Sequence, residues 1–390
     1  MTALAPPPVK AILLHADLFT GWLFICAVLC MTSPLRGGPV RRGQGALSNP
    51  AGRFERHSTE AVDDGWFQET ETEGPPLTVT PEHARGLISS NDSPDIPFEQ
   101  SINPYRGCTH ACVYCYARTH PCLPGTVGGP GFRDPVFYKA DAAGLLRREL
   151  DRPGYLCKPI TLGANTDPYQ PIARQLRVTR QILEVLAAYR HPVTIITKSA
   201  LVLRGLDLLG ALAQDNLVQV GISITTLDAE LKRRMEPQAA SPAARLRTVS
   251  ELTAAGIPAG VLVAPVIPAL TEHQMEGILE AAAAARARWA GYVLLRLPYE
   301  LRSLFSEWLH VHYPDRAAHV LSLIRQMRHG RENDPRFGSR MRGEGPLADV
   351  LQVRFQAACR RKGLSSARSV LLDVGRFRRP GAGAQLTLDF

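Results

Sequence analysis

The sequence predicts an α/β fold made of six βα units. Between about residue 98 and residue 325, short runs rich in Val, Ile and Leu alternate with stretches of helical apolar periodicity. The short runs do not alternate polar with apolar residues, which is typical of parallel strands covered on both faces. Six units favour an α/β barrel or a partly open one, because eight units would need more chain. A flat, doubly wound sheet is the alternative topology.

The predicted elements follow one another in a regular order. The strands are expected at residues 100–105, 159–163, 193–197, 217–224, 260–264 and 291–297. The helices between them are expected at residues 142–150, 179–189, 202–213, 242–255 and 272–289. Each helix is long enough to return the chain for a parallel strand. In either topology the active site is expected at the carboxyl ends of the strands.

Composition divides the chain into four segments. Residues 98–325 hold the βα units. Residues 31–97 are rich in Gly, Arg, Pro and Glu at their start and predict a flexible lead-in followed by an irregular approach. Residues 326–390 predict a basic helical extension that ends in a tail peptide. Residues 1–30 form an apolar extension.

The apolar extension has three alternative explanations. It is a membrane anchor, a signal peptide, or a stretch upstream of a true start at Met31. We favour the later start, because His15 and Asp17 are costly inside a bilayer and no clean cleavage site follows. We therefore expect no membrane partner.

The net charge of +9 is concentrated near the C-terminus. From Arg325 to Arg379 there are fourteen Lys or Arg against five Asp or Glu, so this block accounts for the whole excess. Such a block attracts polyanions and makes nucleic acid a candidate partner. A solvated Arg-rich surface is the alternative interpretation.

Three of the eight cysteines lie within eight residues, in the segment NPYRGCTHACVYCYAR. Cys108, Cys112 and Cys115 have the spacing C-x3-C-x2-C, which lets one short loop place three thiolates around a compact metal centre. Three ligands on a cubane cluster leave one iron without a protein ligand, and an open iron can bind a substrate or cofactor.

Structural zinc is the alternative for these cysteines. Its fourth ligand would come from His110, His120 or Cys122. Zinc sites usually combine two paired ligand elements, and the sequence contains no second pair. The spacing therefore favours a cluster over zinc.

The cysteine segment resembles the signature of the radical S-adenosylmethionine (SAM) superfamily, C-x3-C-x-aromatic-C, with Tyr114 in the aromatic position. The phrases NPYRGC, TLGANTDPYQP, EPQAASPAARL and VLVAPVIPALT are similar to the spore-photoproduct-lyase-like, or DNA-repair-photolyase-like, subgroup. The resemblance covers about residues 49–325. It implies a partial (β/α)6 barrel of parallel strands, in agreement with the strand count.

The resemblance also implies the cofactors. A [4Fe–4S] cluster is expected on Cys108, Cys112 and Cys115, with SAM chelating the open iron. Reductive cleavage of SAM then gives methionine and a 5′-deoxyadenosyl radical, which takes a hydrogen atom from the substrate. An electron donor of the flavodoxin or ferredoxin type is an expected partner. An oxygen-sensitive cluster indicates a cytoplasmic location.

Six further residues are candidates for cofactor binding. Tyr114 is expected to shield the cluster or stack on adenine. Asn165 and Asp167 follow the second predicted strand and suit SAM or substrate, although Asn, Asp and Pro also form turns. Ser223 ends the fourth predicted strand, where the resemblance implies a contact with SAM, and a hydroxyl there also suits a local backbone bond.

The last two of the six lie in the phrase RMEPQAASPAARL. The resemblance places Arg245 near the SAM carboxylate, with Glu236 orienting its guanidinium. A surface ion pair is the alternative. Arg296, at the end of the sixth predicted strand, is a candidate for substrate binding.

The tail, residues 385–390 (QLTLDF), resembles a bacterial sliding-clamp-binding peptide with Gln385 and Phe390 as anchors. A tail strand pinned to the domain is the alternative. Cys122, Cys157 and Cys359 stand in no phrase that matches a hydrogen donor, so no named residue supports a DNA-lesion substrate.

Taken together, the sequence predicts a radical SAM enzyme with an unidentified substrate, for which nucleic acid is one candidate. A non-catalytic iron–sulfur or zinc-stabilised nucleic-acid-binding protein is the alternative, and the basic block and tail are its support.

Overall fold

Six parallel strands in chain order form the main sheet. The computed structural model describes residues 45–48, 77–119, 135–366 and 371–380. The strands are β1 Val79–Glu82, β2 Ile88–Ser90, β3 Gln100–Ile102, β4 Tyr105–Arg106, β5 Val136–Lys139, β6 Ile160–Leu162, β7 Val193–Thr197, β8 Val218–Ser223, β9 Ala259–Val266 and β10 Trp289–Leu294. The α-helices are α1 Ala142–Leu150, α2 Ala173–Leu176, α3 Val178–Ala188, α4 Leu206–Gln214, α5 Ala229–Met235, α6 Pro242–Ala254, α7 Met275–Ala284, α8 Leu301–His312, α9 Pro314–Gln326 and α10 Pro346–Lys362. Short 3-10 helices occur at Tyr116–Thr119, Ala200–Gly205, Glu272–Gln274 and Val374–Arg376.

The strand order of the main sheet decides between the two predicted topologies. The order is β10-β9-β8-β7-β6-β3-β2, and every neighbouring pair is parallel except β2 with β3. A doubly wound sheet reverses its direction at a switch point, and this sheet never does. The α/β fold with parallel strands is confirmed, and the doubly wound alternative is wrong. A smaller sheet has the order β1-β5-β4.

Each predicted strand and helix overlaps an observed element, although several bounds differ. The strand β7 and the helix α1 have the predicted bounds. The predicted strand 100–105 is two strands, β3 and β4, because Pro104 between them has no N–H to donate to a ladder. Trp289 opens β10 instead of ending a helix, and its ring packs where a Cβ on Gly221 or Gly260 would lie.

The C-terminal extension packs into the main core. The helix α10 buries Leu351, Phe355 and Cys359 in the same hydrophobic cluster as the sheet. The ring of Phe355 lies 4.8 Å from that of Tyr292 in β10. The outer edge of β10 is covered as well, since Leu294 donates its backbone N–H to Met341 O at 2.9 Å. Chain beyond residue 325 therefore protects an exposed strand edge.

Some predictions concern residues outside the described part of the chain. These are the apolar extension 1–30, most of the lead-in, the alternative zinc ligands His120 and Cys122, and the tail peptide 385–390. They stay predictions. Within the described residues, none of the helices combines the length and apolar character that spanning a bilayer requires.

Replacing Gly260 by alanine should destabilise the fold. A Cβ on Gly260 would lie 2.1 Å from Cδ2 of the buried Trp289 ring, which cannot move without disturbing the core. We expect a loss of about 1–3 kcal/mol in the free energy of unfolding, measured by urea denaturation. Gly210→Ala in α4 is the control, because nothing lies within 4 Å of its Cβ and alanine favours helix by about 0.5–1 kcal/mol. Equal stability of the two variants would contradict the packing of the Trp289 ring against Gly260.

Burial of His191 should make the fold sensitive to acid. Burial lowers the pKa of this imidazole from 6.5 to about 4, although Pro192 O accepts from Nδ1. The ring packs against Phe377 at 5.5 Å, and Tyr155 Oη lies 2.8 Å from Nε2. Below pH 6.5 His191 is protonated in the unfolded chain but stays neutral in the folded chain until the pH approaches 4. The free energy of unfolding therefore falls as the pH drops from 6.5 towards 4, by about 3 kcal/mol at most.

The check for His191 is urea unfolding at pH 7.5 and at pH 5. His191→Gln should flatten the pH dependence, whereas His319→Gln, at an exposed position, should leave it unchanged. An unaltered slope in His191→Gln would show that another group carries the acid sensitivity.

Candidate active site

The three cysteines lie on one loop that follows the carboxyl end of β3 and the short strand β4. Cys108 and Cys112 are buried and Cys115 is half-buried, and all three are free thiols. Gly107 opens the loop with φ of +87°, and a Cβ there would lie 2.9 Å from Pro135 O. Glycine at this position therefore allows the close approach that turns the chain into the cysteine segment.

Arg118 holds this loop from inside. Its side chain is 1% exposed and donates from Nε to Cys112 O at 2.9 Å and from Nη2 to Ala111 O at 3.2 Å. Ala111 adopts φ of +55°, a conformation that few residues other than glycine take up. The buried guanidinium thus satisfies the carbonyls of a tight turn and places positive charge beside the sulfurs.

A second loop, residues 163–170, is hydrogen-bonded to the cysteine loop. Gln170 is fully buried, accepts from Thr109 N at 2.8 Å and donates to Gly107 O at 3.3 Å. Thr166 donates its hydroxyl to Tyr105 O at 2.7 Å. The segments NPYRGC and TLGANTDPYQP are therefore joined by hydrogen bonds in the folded protein.

Asp167 is the centre of this second loop. Its Oδ1 accepts from Thr197 Oγ1 at 2.7 Å, and its Oδ2 accepts from Lys198 N at 2.7 Å and lies 3.4 Å from His110 Nδ1. Burial alone would raise the pKa of Asp167, but His110 and these hydrogen bonds lower it to about 2. Because protein donors use both oxygens, the geometry gives Asp167 a positioning role between β7 and the cysteine loop.

The cysteine geometry favours a cluster over a single ion. Three sulfurs on one zinc ion at ~2.3 Å would lie ~3.8 Å from one another. Among the described residues, the compact group that could hold a single ion within 4.8 Å is His329, Asp334 and Glu344, and it includes none of the three cysteines. In a cluster each thiolate has its own iron, and the sulfurs lie further apart.

The electrostatics of the thiols fit a cationic centre. Burial raises the pKa of Cys108 to about 12, with a further contribution from the charge of Asp167. Burial also raises the pKa of Cys112 and Cys115, although Arg118 and Lys198 oppose the effect at Cys115. Thiols of this kind become thiolates when a metal centre supplies the compensating positive charge. The residues present therefore fit an iron–sulfur cluster.

Tyr114, Glu236 and Arg245 form one buried network. Glu236 is fully buried and accepts from the Tyr114 hydroxyl, from Arg245 Nη2 and from Thr225 Oγ1 at 2.7 Å. Arg245 is 1% exposed and also donates to Ser223 O at 2.9 Å. The surface-pair alternative for Glu236 and Arg245 is therefore wrong.

The same network bears on the carboxylate contact predicted for Arg245. Its Nε donates to Ala240 O at 2.9 Å, so all three guanidinium nitrogens have protein acceptors. The geometry makes Arg245 a support for Glu236 and for the end of β8. Direct binding of a cofactor by Arg245 stays a prediction.

Four other polar groups lie at the carboxyl ends of the strands with capacity to bind a ligand. Within the described chain, three of these groups have no hydrogen-bond partner in the protein: the Ser223 hydroxyl, the side-chain amide of Asn165 and the Lys198 ammonium. The backbone N–H of Asn165, in contrast, donates to Asn103 Oδ1. Lys198 Nζ lies 5.9 Å from the centre of the Tyr114 ring. Arg296 lies over the Tyr116 ring, and its buried Nε has no partner in the described residues.

The sequence prediction did not single out Lys198, Gln170 or Arg118 as site residues. Lys198 directly follows the predicted strand 193–197, and that position at a strand end is the available signal. Gln170 and Arg118 act on carbonyls of a loop, and no spacing rule signals such a contact.

The chain is similar to a known family and to proteins of other organisms. Residues 102–282 match the family described as the radical SAM superfamily. An uncharacterized protein of Mycobacterium tuberculosis is 38% identical over 237 residues, which span 59% of this chain and 68% of that protein. An uncharacterized protein of Methanocaldococcus jannaschii is 32% identical over 171 residues, 44% of this chain and 61% of that protein.

Solved structures show the same fold. Spore photoproduct lyase complexed with dinucleoside spore photoproduct superposes with a TM-score of 0.55 over 74% of this chain and 81% of that one, at 17% identity. The family match implies an enzyme that works with SAM and an iron–sulfur cluster. The chain belongs to the radical SAM superfamily.

Proposed function

We propose that this chain binds a [4Fe–4S] cluster through Cys108, Cys112 and Cys115 and uses it to cleave SAM reductively. When bound, the cluster and SAM supply a 5′-deoxyadenosyl radical that takes hydrogen from the substrate. The observation that carries the proposal is the set of three free thiols, two of them buried and one half-buried, on a single loop at the carboxyl ends of parallel strands. The protein's part is to position the reactants and to exclude water.

Three of the unpartnered groups suit the polar ends of SAM. The ammonium of Lys198 suits its carboxylate, because a half-buried cation without an internal partner binds an anion strongly. The Ser223 hydroxyl and the Asn165 amide suit its amino group or ribose. Glu236, Arg245 and Asp167 act indirectly, by holding Tyr114 and the ends of β7 and β8 in place.

Arg296 is the group proposed for substrate contact. Arg296 follows β10, is half-buried and has an unpaired Nε, so a substrate anion or carbonyl would complete its hydrogen bonding. Burial lowers the pKa of Arg296, assisted by the nearby charge of Arg340, and this cost makes an anionic partner favourable.

Nucleic acid is the proposed class of substrate. Spore photoproduct lyase, a neighbour in fold, has been solved with AdoMet and dinucleoside spore photoproduct bound. The basic block from Arg325 to Arg379 supports the same class. A flavodoxin- or ferredoxin-type donor and a sliding clamp bound by residues 385–390 complete the proposed partners.

The proposal is tested by anaerobic reconstitution. We expect about four irons per chain and conversion of SAM to 5′-deoxyadenosine under a strong reductant. A reconstituted protein that keeps its iron yet never cleaves SAM would contradict the proposed function.

Lys198→Met should weaken SAM binding while leaving the cluster in place. Loss of a charge-assisted contact is expected to raise the dissociation constant for SAM by about tenfold or more, measured by equilibrium dialysis of the reconstituted protein. Lys158→Met is the matched control, because Lys158 pairs with Glu99 on the surface. An unchanged affinity in Lys198→Met would remove Lys198 from the SAM site.

A further inference from the structure

Four arginines line a cavity outside the cysteine site. It encloses about 360 Å³, within the range of roughly 300–1,000 Å³ that small-ligand sites occupy. The arginines come from α2, the turn after it, α3 and the 3-10 helix after β7: Arg174, Arg177, Arg180 and Arg204. None of the residues proposed for the cluster or SAM lines it.

Most of this charge has no counterion in the described chain. Asp207 and Glu184 both pair with Arg180. Arg204 instead donates to the backbone carbonyl of Arg174 at 3.1 Å, and Arg174 and Arg177 are exposed without a carboxylate partner. Like charges that converge in this way repel one another, and an anion between them would relieve the repulsion.

A buried hydroxyl adds an independent observation. Tyr169 is 7% exposed and lines the cavity, and its hydroxyl has no hydrogen-bond partner in the described residues. A Cβ on Gly205, which also lines the cavity, would lie 3.7 Å from this hydroxyl. Burying a hydroxyl without a hydrogen-bond partner costs free energy, so an acceptor bound beside Tyr169 would remove that cost.

We propose that this cavity binds a phosphate group. Guanidinium forks match phosphate oxygens in bidentate geometry, and several forks with a hydroxyl donor suit a compact oxyanion better than a flat protein surface. The group is a phosphodiester of nucleic acid or a phosphate of a smaller molecule, and both have the same chemistry at the site.

The cavity shares a loop with the cysteine site. Asp167 and Gln170 contact His110 and Thr109 on the cysteine side, and Tyr169 between them lines the cavity. A phosphate here would lie against the loop that supports the cysteines. The assignment of that phosphate to a substrate rests on the proposed function, whereas binding in the cavity does not.

The test uses the reconstituted full-length chain without SAM, titrated with inorganic phosphate and observed by ³¹P NMR. We expect Arg174→Ala/Arg177→Ala to weaken phosphate binding by about tenfold or more. Tyr169→Phe should weaken it by about threefold without loss of stability, because the removed hydroxyl has no protein partner. Arg247→Ala/Arg316→Ala, which removes two exposed arginines elsewhere, should change it by no more than about twofold.

The outcomes separate the alternatives. Equal weakening in Arg247→Ala/Arg316→Ala, or no phosphate binding by the unaltered protein, would overturn the proposal. Binding of an acidic flavodoxin that depends on Arg174 and Arg177, without phosphate binding, would overturn it in favour of a protein-docking surface. Competition by a single-stranded oligonucleotide identifies nucleic acid as the source, and competition by a nucleoside monophosphate alone identifies a smaller molecule. Because SAM is absent, failure here leaves the proposed radical chemistry untouched.

Discussion

Cys112→Ser should abolish both iron binding and SAM cleavage. Cys112 is buried, and its backbone carbonyl accepts a hydrogen bond from Arg118, which fixes the position of its sulfur on the loop. Serine is nearly isosteric but is a poor ligand for iron. We expect the iron content to fall from about four per chain towards zero after reconstitution, and 5′-deoxyadenosine formation to fall to background.

Cys157→Ser is the matched control for this variant. Cys157 is a half-buried free thiol outside the motif, and its serine variant should keep full iron content and SAM cleavage. Iron analysis, the visible spectrum and product chromatography provide the readouts. If Cys112→Ser kept four irons, the three-cysteine assignment would be wrong even if activity were lost.

Among the substitutions expected to destabilise the fold, Arg245→Leu should lower the free energy of unfolding the most. The substitution leaves Glu236 fully buried without its cation, and it removes donors to Ser223 O and Ala240 O. Removal of one partner from a buried ion pair typically costs about 3–5 kcal/mol, because the remaining charge stays desolvated. Urea unfolding of the cluster-free protein measures this loss without interference from metal binding.

Two further variants test the origin of that loss. Lys362→Met breaks an exposed pair with Glu280 and should barely change stability, because solvent screens the pair. Glu236→Leu/Arg245→Leu should be less destabilised than the sum of its single variants, since neither charge is then left alone. Strict additivity would show that Glu236 and Arg245 do not interact in the folded protein.

The sequence was informative wherever the signal is local. The helix pattern at residues 142–150 and the apolar run at 193–197 coincide with α1 and β7. Helical periodicity and strand burial are both set by neighbours in the chain, so they are legible without the fold. The C-x3-C-x2-C spacing is local in the same sense, because one loop carries all three sulfurs.

Other elements had no such signal. The strands β1, β2 and β5 were not predicted, and each has only three or four residues, nearly all of them half-buried or exposed. Such short segments become strands through pairing with distant partners, as β1 does with β5. The strand 100–105 was wrong in one detail, because Pro104 ends the ladder that β3 begins.

By itself, therefore, the sequence determined the α/β class, the positions of the six parallel strands along the chain and the identity of the three cysteines on one loop. Tertiary structure alone decided that Gln170 clamps Thr109, that Arg245 lies buried against Glu236, that Lys198 keeps an unpartnered ammonium, and that four arginines surround one cavity. Gln170 and Thr109 are 61 positions apart. Contacts of that range depend on how the strands align at their carboxyl ends, and this alignment is set by packing of the whole sheet rather than by any stretch of residues.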